Sequence, residues 1–175
     1  MQFYNRALEC NPNDASAYFR LGECYRRLGK WQKAIDVYLR AVALNGRNEK
    51  FHAALADAYW QTEQYGKALS SFRKAAFTAP DDLKYWLLYA GFLFSVGQEK
   101  KALHVLQDAQ NYTFGAEIEY CQIACLISLG RRGEALYRLS EALAEDFDKH
   151  TTLLSWRPDL AQSADFQNLI KDYKR

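Results

Sequence analysis

The chain has 175 residues, with Lys+Arg 23 against Asp+Glu 21, and its net charge of +2 is far from the footprint of a dedicated nucleic-acid binder. Hydrophobic residues make up 49% and charged residues 25%, so the chain can bury a core in one domain, or at most two. Only 3 Pro and 9 Gly occur, which argues against a loop-rich β-sandwich and for long helices.

The first residues, Met1 to Arg6, lack the basic segment followed by an apolar run that marks a secretory signal. The longest apolar stretch, Trp86 to Val96, falls short of the roughly 20 residues that cross a bilayer. A cytoplasmic protein without a membrane span is the expectation. Cys10, Cys24, Cys121 and Cys125 form no CxxC and have no His at zinc-ligand spacing, so they read as reduced structural residues, with no metal and no cofactor.

In chain order, Tyr4, Ala7 and Leu8 predict a first short helix that ends at Pro12. Tyr18, Leu21, Gly22 and Tyr25 then follow the i, i+3, i+4, i+7 rule of a helix with one apolar face. Leu28-Gly29 breaks it, since Gly supplies the left-handed conformation that closes helices. A second apolar stripe runs from Trp31 through Ala34, Ile35, Tyr38, Ala41 and Val42. Gly22 and Ala34 are expected where the paired helices come closest. Turn and N-cap chemistry recurs at Asn11 to Asp14, Asn45 to Asn48 and Ala79 to Asp82.

The pattern repeats with a step of 34 residues. Tyr4, Tyr38, Phe72 and Leu106 share one column, and Ala7, Ala41, Ala75 and Ala109 another. Tyr18, His52, Trp86 and Tyr120 form a third, Leu21, Leu55, Tyr89 and Ile123 a fourth, and Gly22, Ala56, Ala90 and Ala124 a fifth. Ala34, Ala68 and Ala102 continue the register, with Ala135 one residue early.

On these residues the chain resembles the tetratricopeptide repeat (TPR) over 1–143. The copies are a half-repeat at 1–14, full copies at 15–48, 49–82 and 83–116, and a degenerate copy at about 117–149 that is one residue short in its inner turn. The resemblance implies an all-α, right-handed α-solenoid of stacked antiparallel helix pairs, with the first helix of each pair lining a concave face. The mid-repeat start reads as truncation of upstream repeats, and the open half-repeat as a surface for self-association. The tail leaves the period. Thr151 to Trp156 reads as a short helix, Arg157 to Asp159 as a break, and Ser163 as an N-cap for a helix Asp165 to Lys174, with 150–175 as a capping segment. The basic residues Lys171, Lys174 and Arg175 read as helix-end solvation.

If first helices line the groove, its columns are Phe19, Ala53, Leu87 and Cys121; Glu23, Asp57, Gly91 and Cys125; and Arg26, Trp60, Phe94 and Ser128, with Lys50 and Lys84 at the entrance. The candidate peptide-binding residues are Phe19, Glu23, Arg26, Asp57, Trp60, Lys84, Leu87 and Phe94: apolar anchors near Leu87 and Phe94, and a basic ligand residue near Glu23 and Asp57. Two alternatives stand beside this: Phe94 and Trp60 are covered by neighbouring helices or the tail, or the acids are a plain solvated face. The almost wholly apolar helix Trp86 to Phe94 contains Gly91, which points to a close approach there.

The carboxylate clamp of chaperone-binding family members fails, because its places hold Phe19, Glu23, Ala54, Lys84 and Leu88. His52, His104 and His150 fall in separate copies, no P-loop or nucleophile elbow is present, and no enzyme activity is expected. The Asn111-Tyr112-Thr113 sequon reads as incidental. The expectation is a scaffold binding a segment of a protein partner, the alternative a secretion-type chaperone that holds an apolar segment of an unfolded partner.

Overall fold

The computed structural model describes residues 1–173, so Lys174 and Arg175 of the tail lie outside the described residues. The chain divides into two compact units, Met1–Pro80 and Asp81–Arg175. The described residues hold α-helices and short 3-10 turns and no strand, and no helix among them is long and apolar enough to cross a membrane.

The first unit contains α1 (Gln2–Cys10), α2 (Ala15–Arg27), α3 (Trp31–Leu44), α4 (Glu49–Gln61) and α5 (Tyr65–Thr78), each packed on the next. Short polar side chains start the first helices. Asp14 accepts a hydrogen bond from the Ala17 N–H at 3.0 Å, and Asn48 accepts from Lys50 and Phe51 at 3.0 and 3.3 Å. The pair α2–α3 closes around Gly22. A Cβ added there would stand 2.3 Å from Cε1 of Tyr38, whose ring is wholly buried. The glycine predicted at a close approach thus makes room for a ring, and Ala34 is wholly buried. The terminal helix α1 has no buried residue and leaves Phe3 75% exposed.

The second unit contains α6 (Leu83–Ser95), α7 (Glu99–Ala109), α8 (Ala116–Ser128), α9 (Arg132–Glu145), α10 (His150–Trp156) and α11 (Ala164–Tyr173). Asp82 caps α6 through the Lys84 N–H at 3.0 Å. The tail turns on 3-10 segments at Phe147–Lys149 and Pro158–Gln162; α10 packs on α8, and α11 on α9. Here α7 has 11 residues where α3 and α5 have 14, and a loop at 110–115 takes up the difference.

The inner turns of all four helix pairs share one closure. The N–H groups of Lys30, Gln64, Gln98 and Arg131 each donate to the carbonyl five residues back at 2.9 Å. The preceding residue takes positive φ: Gly29 at 67°, Gly97 at 72°, Gly130 at 77°, and Glu63 at 59°. Glu63 carries a Cβ into a conformation that costs an L-residue roughly 1–2 kcal/mol.

Two substitutions check this packing. Gly22→Ala should lower unfolding stability by about 1–3 kcal/mol in urea titration, because overpacking against Tyr38 outweighs alanine's better helix propensity. Glu63→Gly should raise stability by about 1 kcal/mol in the same assay, as the left-handed strain is relieved.

Candidate functional site

In the first unit α2 and α4 bring Phe19, Glu23, Arg26, Asp57 and Trp60 together as half-buried side chains. Phe19 is stacked on Phe51 with centroids 5.0 Å apart and lies 5.8 Å from Tyr38, so its ring serves packing as well as the face. Trp60 stands edge-on to Phe72 at 6.4 Å.

Glu23 is the hub. The Arg26 guanidinium donates to both its oxygens, at 3.2 and 2.9 Å, and the Tyr38 hydroxyl donates to Oε1 at 2.5 Å. Burial opposes ionisation of Glu23, but these hydrogen bonds outweigh it and hold the carboxyl below its usual range. Burial raises the Tyr38 hydroxyl well above its ordinary value, so it stays a neutral donor. Asp57 differs. Burial pushes its carboxyl up, while the Arg26 charge and a hydrogen bond from Gln61 only partly offset that. Arg26 is near enough to act on Asp57 electrostatically, yet its ion pair is with Glu23.

In the second unit the candidates have other neighbours. Lys84 is exposed, with its ammonium 5.6 Å from the Tyr85 ring centroid, and Leu87 is half-buried. Phe94 is covered by the tail: the Trp156 indole lies 5.0 Å from its ring, and a Cβ added at Gly91 would be 3.5 Å from Trp156 Cζ2. The close approach expected at Gly91 is therefore made by a side chain of α10. Arg157 donates to Ser128 Oγ at 2.9 Å and pairs with Asp159. Two column positions need correction, because Cys121 and Cys125 are wholly buried and line no open face; burial raises both thiols. In α8 these columns turn inward because α10 packs on that helix.

The histidines act locally. His52 Nε2–H donates to the Gly46 carbonyl at 2.9 Å, His150 Nδ1–H to the Phe147 carbonyl at 2.6 Å, and His104 lies 3.8 Å from Asp108. No group of three or more His, Cys, Asp or Glu among the described residues could hold a metal ion.

Three repeat-family descriptions match in overlapping register: "Tetratricopeptide repeat" over residues 3–36, "TPR repeat" over 22–63, and "YpiA-like, C-terminal tetratricopeptide repeats" over 50–112. The chain belongs to the tetratricopeptide-repeat family. It is 30% identical over 101 residues to the TPR repeat-containing protein YpiA of Bacillus subtilis, covering 58% of this chain and 24% of that protein. It is 25% identical over 143 residues to tetratricopeptide repeat protein 16 of Macaca fascicularis, covering 77% of this chain and 16% of that one. The chain thus spans a quarter or less of the length of these relatives.

Among solved structures, YrrB, described as a TPR protein with an unusual peptide-binding site, aligns with a TM-score of 0.64 at 19% identity, covering 98% of this chain and 92% of that one. MamA aligns with a TM-score of 0.67 at 17% identity, covering 91% and 87%. These likenesses establish the all-α TPR solenoid class of the fold.

Sequence reasoning missed the part of this TPR chain that organises the first unit's face, the Tyr38 hydroxyl. The signal was in the column Tyr4, Tyr38, Phe72 and Leu106, where of the three complete pairs only the first carries a hydroxyl on the second helix.

The two acids should respond oppositely to pH. Glu23, depressed in the folded state, contributes stability above its unfolded value that is lost as pH falls through its folded value. Asp57, raised, carries a penalty at neutral pH that is relieved as pH falls through its folded value toward the unfolded one. Urea titrations at pH 7 should therefore find Glu23→Gln destabilised and Asp57→Asn stabilised, and both differences should shrink toward pH 3. The same sign for both variants at pH 7 would contradict the assignment.

Proposed function

We propose that this chain is a non-catalytic interaction scaffold that binds a segment of a protein partner on the face formed by α2 and α4. One observation carries the reading: Asp57 is a half-buried acid, and Arg26, the cation that acts on it, is already paired with Glu23. An acid desolvated without its own counter-charge costs stability, and such residues collect at functional sites. A Lys or Arg from a partner would supply the missing charge, with Trp60 and Phe19 offering ring surface beside it. Glu23 then acts as a positioning group that engages the Arg26 guanidinium in its own ion pair.

Membership of the family and the fold shared with YrrB, described as having a peptide-binding site, support a scaffold role. The alternative of holding an unfolded partner's apolar segment on the third pair has less support, since the Trp156 indole lies tilted against Phe94 with centroids 5.0 Å apart.

A photo-crosslinking amino acid placed at Ala53 tests this, beside the same group at Leu39, which is exposed on α3. A partner segment crosslinked from position 53, absent from position 39, and lost at least tenfold in Asp57→Arg is the expected result. Identical adducts from both positions, or full retention in Asp57→Arg, would count against the α2–α4 face.

A further inference from the structure

The second unit contains a cleft that neither the repeat pattern nor the proposed α2–α4 face uses. It encloses about 940 Å³ between the 110–115 loop, the start of α8 and the outer side of α9. Its apolar wall is Phe114, Ala116, Ile118, Ala142 and Ala144. Phe114 is 94% exposed at the mouth, the most exposed large apolar side chain of the described residues. Isolated exposed apolar residues are ordinary on protein surfaces. What distinguishes Phe114 is that the loop on either side of it is held. Tyr112 stacks on the buried Trp86 at 5.6 Å and 14°, and Gly115 presses so close to Leu83 that an added Cβ would lie 2.6 Å from Cδ2. The ring is therefore presented outward by a braced loop.

The charges of the cleft sort into a neutralised pair and a remainder. Arg138 donates from Nε and Nη2 to the two oxygens of Glu119, both at 2.6 Å, and from Nη2 to Gln122 Oε1 at 2.6 Å. Gln122 is only 1% exposed and passes the network on to Gln110 at 3.3 Å. Arg138 and Glu119 are thus engaged with each other, and the guanidinium offers little to an incoming anion. The carboxylates left are Glu141, which accepts one hydrogen bond from the Tyr137 hydroxyl at 2.7 Å, and Glu145, which has no ion pair among the described residues. The lining keeps two uncompensated negative charges beside an exposed ring, in a chain whose net charge is +2.

We propose that this cleft docks a protein segment in which a Lys or Arg sits beside an apolar residue, the cation meeting Glu141 and Glu145 and the apolar side chain covering Phe114. Charge complementarity selects this occupant. A nucleic acid or acidic peptide would meet two carboxylates, and a purely apolar segment would leave them desolvated and unpaired.

The probe is a capped peptide, Gly-Ser-Lys-Leu-Lys-Ser-Gly, titrated into the isotopically labelled full chain and followed by amide chemical shifts. Saturable shifts at Gly115, Ala116 and Ala142 are expected, with none from the same peptide carrying Glu in place of both Lys. Glu141→Lys with Glu145→Lys should weaken binding about tenfold or more, and Phe114→Ser several-fold. All three side chains are exposed, so the remaining amides should keep their positions; if the double reversal perturbs the fold, Glu145→Gln alone should still weaken binding measurably. Asp57→Asn should leave these shifts unchanged, which separates this cleft from the α2–α4 face. Three results would overturn the proposal: equal binding of the charge-reversed peptide, shifts confined to Asp57 and Trp60, or spermidine reproducing the response regardless of Phe114.

Discussion

The close approach of paired helices is the constraint on which the rest depends. Ala34, Ala56, Ala68, Ala90, Ala102, Ala124 and Ala135 are all wholly buried, and Gly22 lies where even a methyl group would strike a ring. Small residues let two backbones come near, and the large side chains of the neighbouring columns fill the flanks at interior density. A helix pair built this way cannot cover both of its faces, so each pair needs a neighbour. The same closeness lets a side chain rooted on the second helix of a pair reach the first helix. Tyr38 does so, and its hydroxyl ends on Glu23.

Packing therefore decides the electrostatics of the α2–α4 face. A carboxylate held in a half-buried position needs hydrogen bonds to remain ionised. Glu23 has three, two from the guanidinium one turn along its own helix and one from across the pair. Asp57 occupies the equivalent column one repeat later, where the second helix supplies Phe72 in place of Tyr38. Without that hydroxyl, and with Trp60 where the first copy has Arg26, the carboxyl has only the more distant Arg26 charge and a Gln61 hydrogen bond, which offset part of its desolvation cost. Two changes between equivalent columns, Tyr38 to Phe72 and Arg26 to Trp60, thus separate a fully bonded acid from one whose desolvation is only partly offset.

Much of the fold was legible because its determinants are local. The N-caps at Asp14, Asn48 and Asp82 and the turns at Gly29, Gly97 and Gly130 are fixed by backbone geometry that a few residue types satisfy. Glu63 shows the limit, since the turn forms there without its glycine because the surrounding pair imposes it. The site was less legible because its partners lie far apart in sequence. Arg26 is three residues from Glu23 and could have been paired from the sequence, whereas Tyr38 is 15 residues away. Trp156 covers Phe94 from 62 positions further along, in a segment with no repeat register from which to place it.

In the second unit the period holds through α8, but α7 is short, the last copy slips by one residue and the tail leaves the register, and the packing changes with them. A regular repeat covers each apolar face with the next copy of itself, so its surfaces are set by the register. Where α7 stops short and the tail follows α9, α7 still packs on α8, but part of the surface is closed by separate devices. Trp156 fills the place over Gly91 and Phe94. The Arg138–Glu119–Gln122 network ties α8 to α9. The 110–115 loop secures Tyr112 on Trp86 and leaves Phe114 outside. An irregularity in a repeat chain is thus not only a weakness in the stack. It is where a surface arises that the other copies do not have, and a surface unique to one position in a solenoid can recognise something its regular faces cannot.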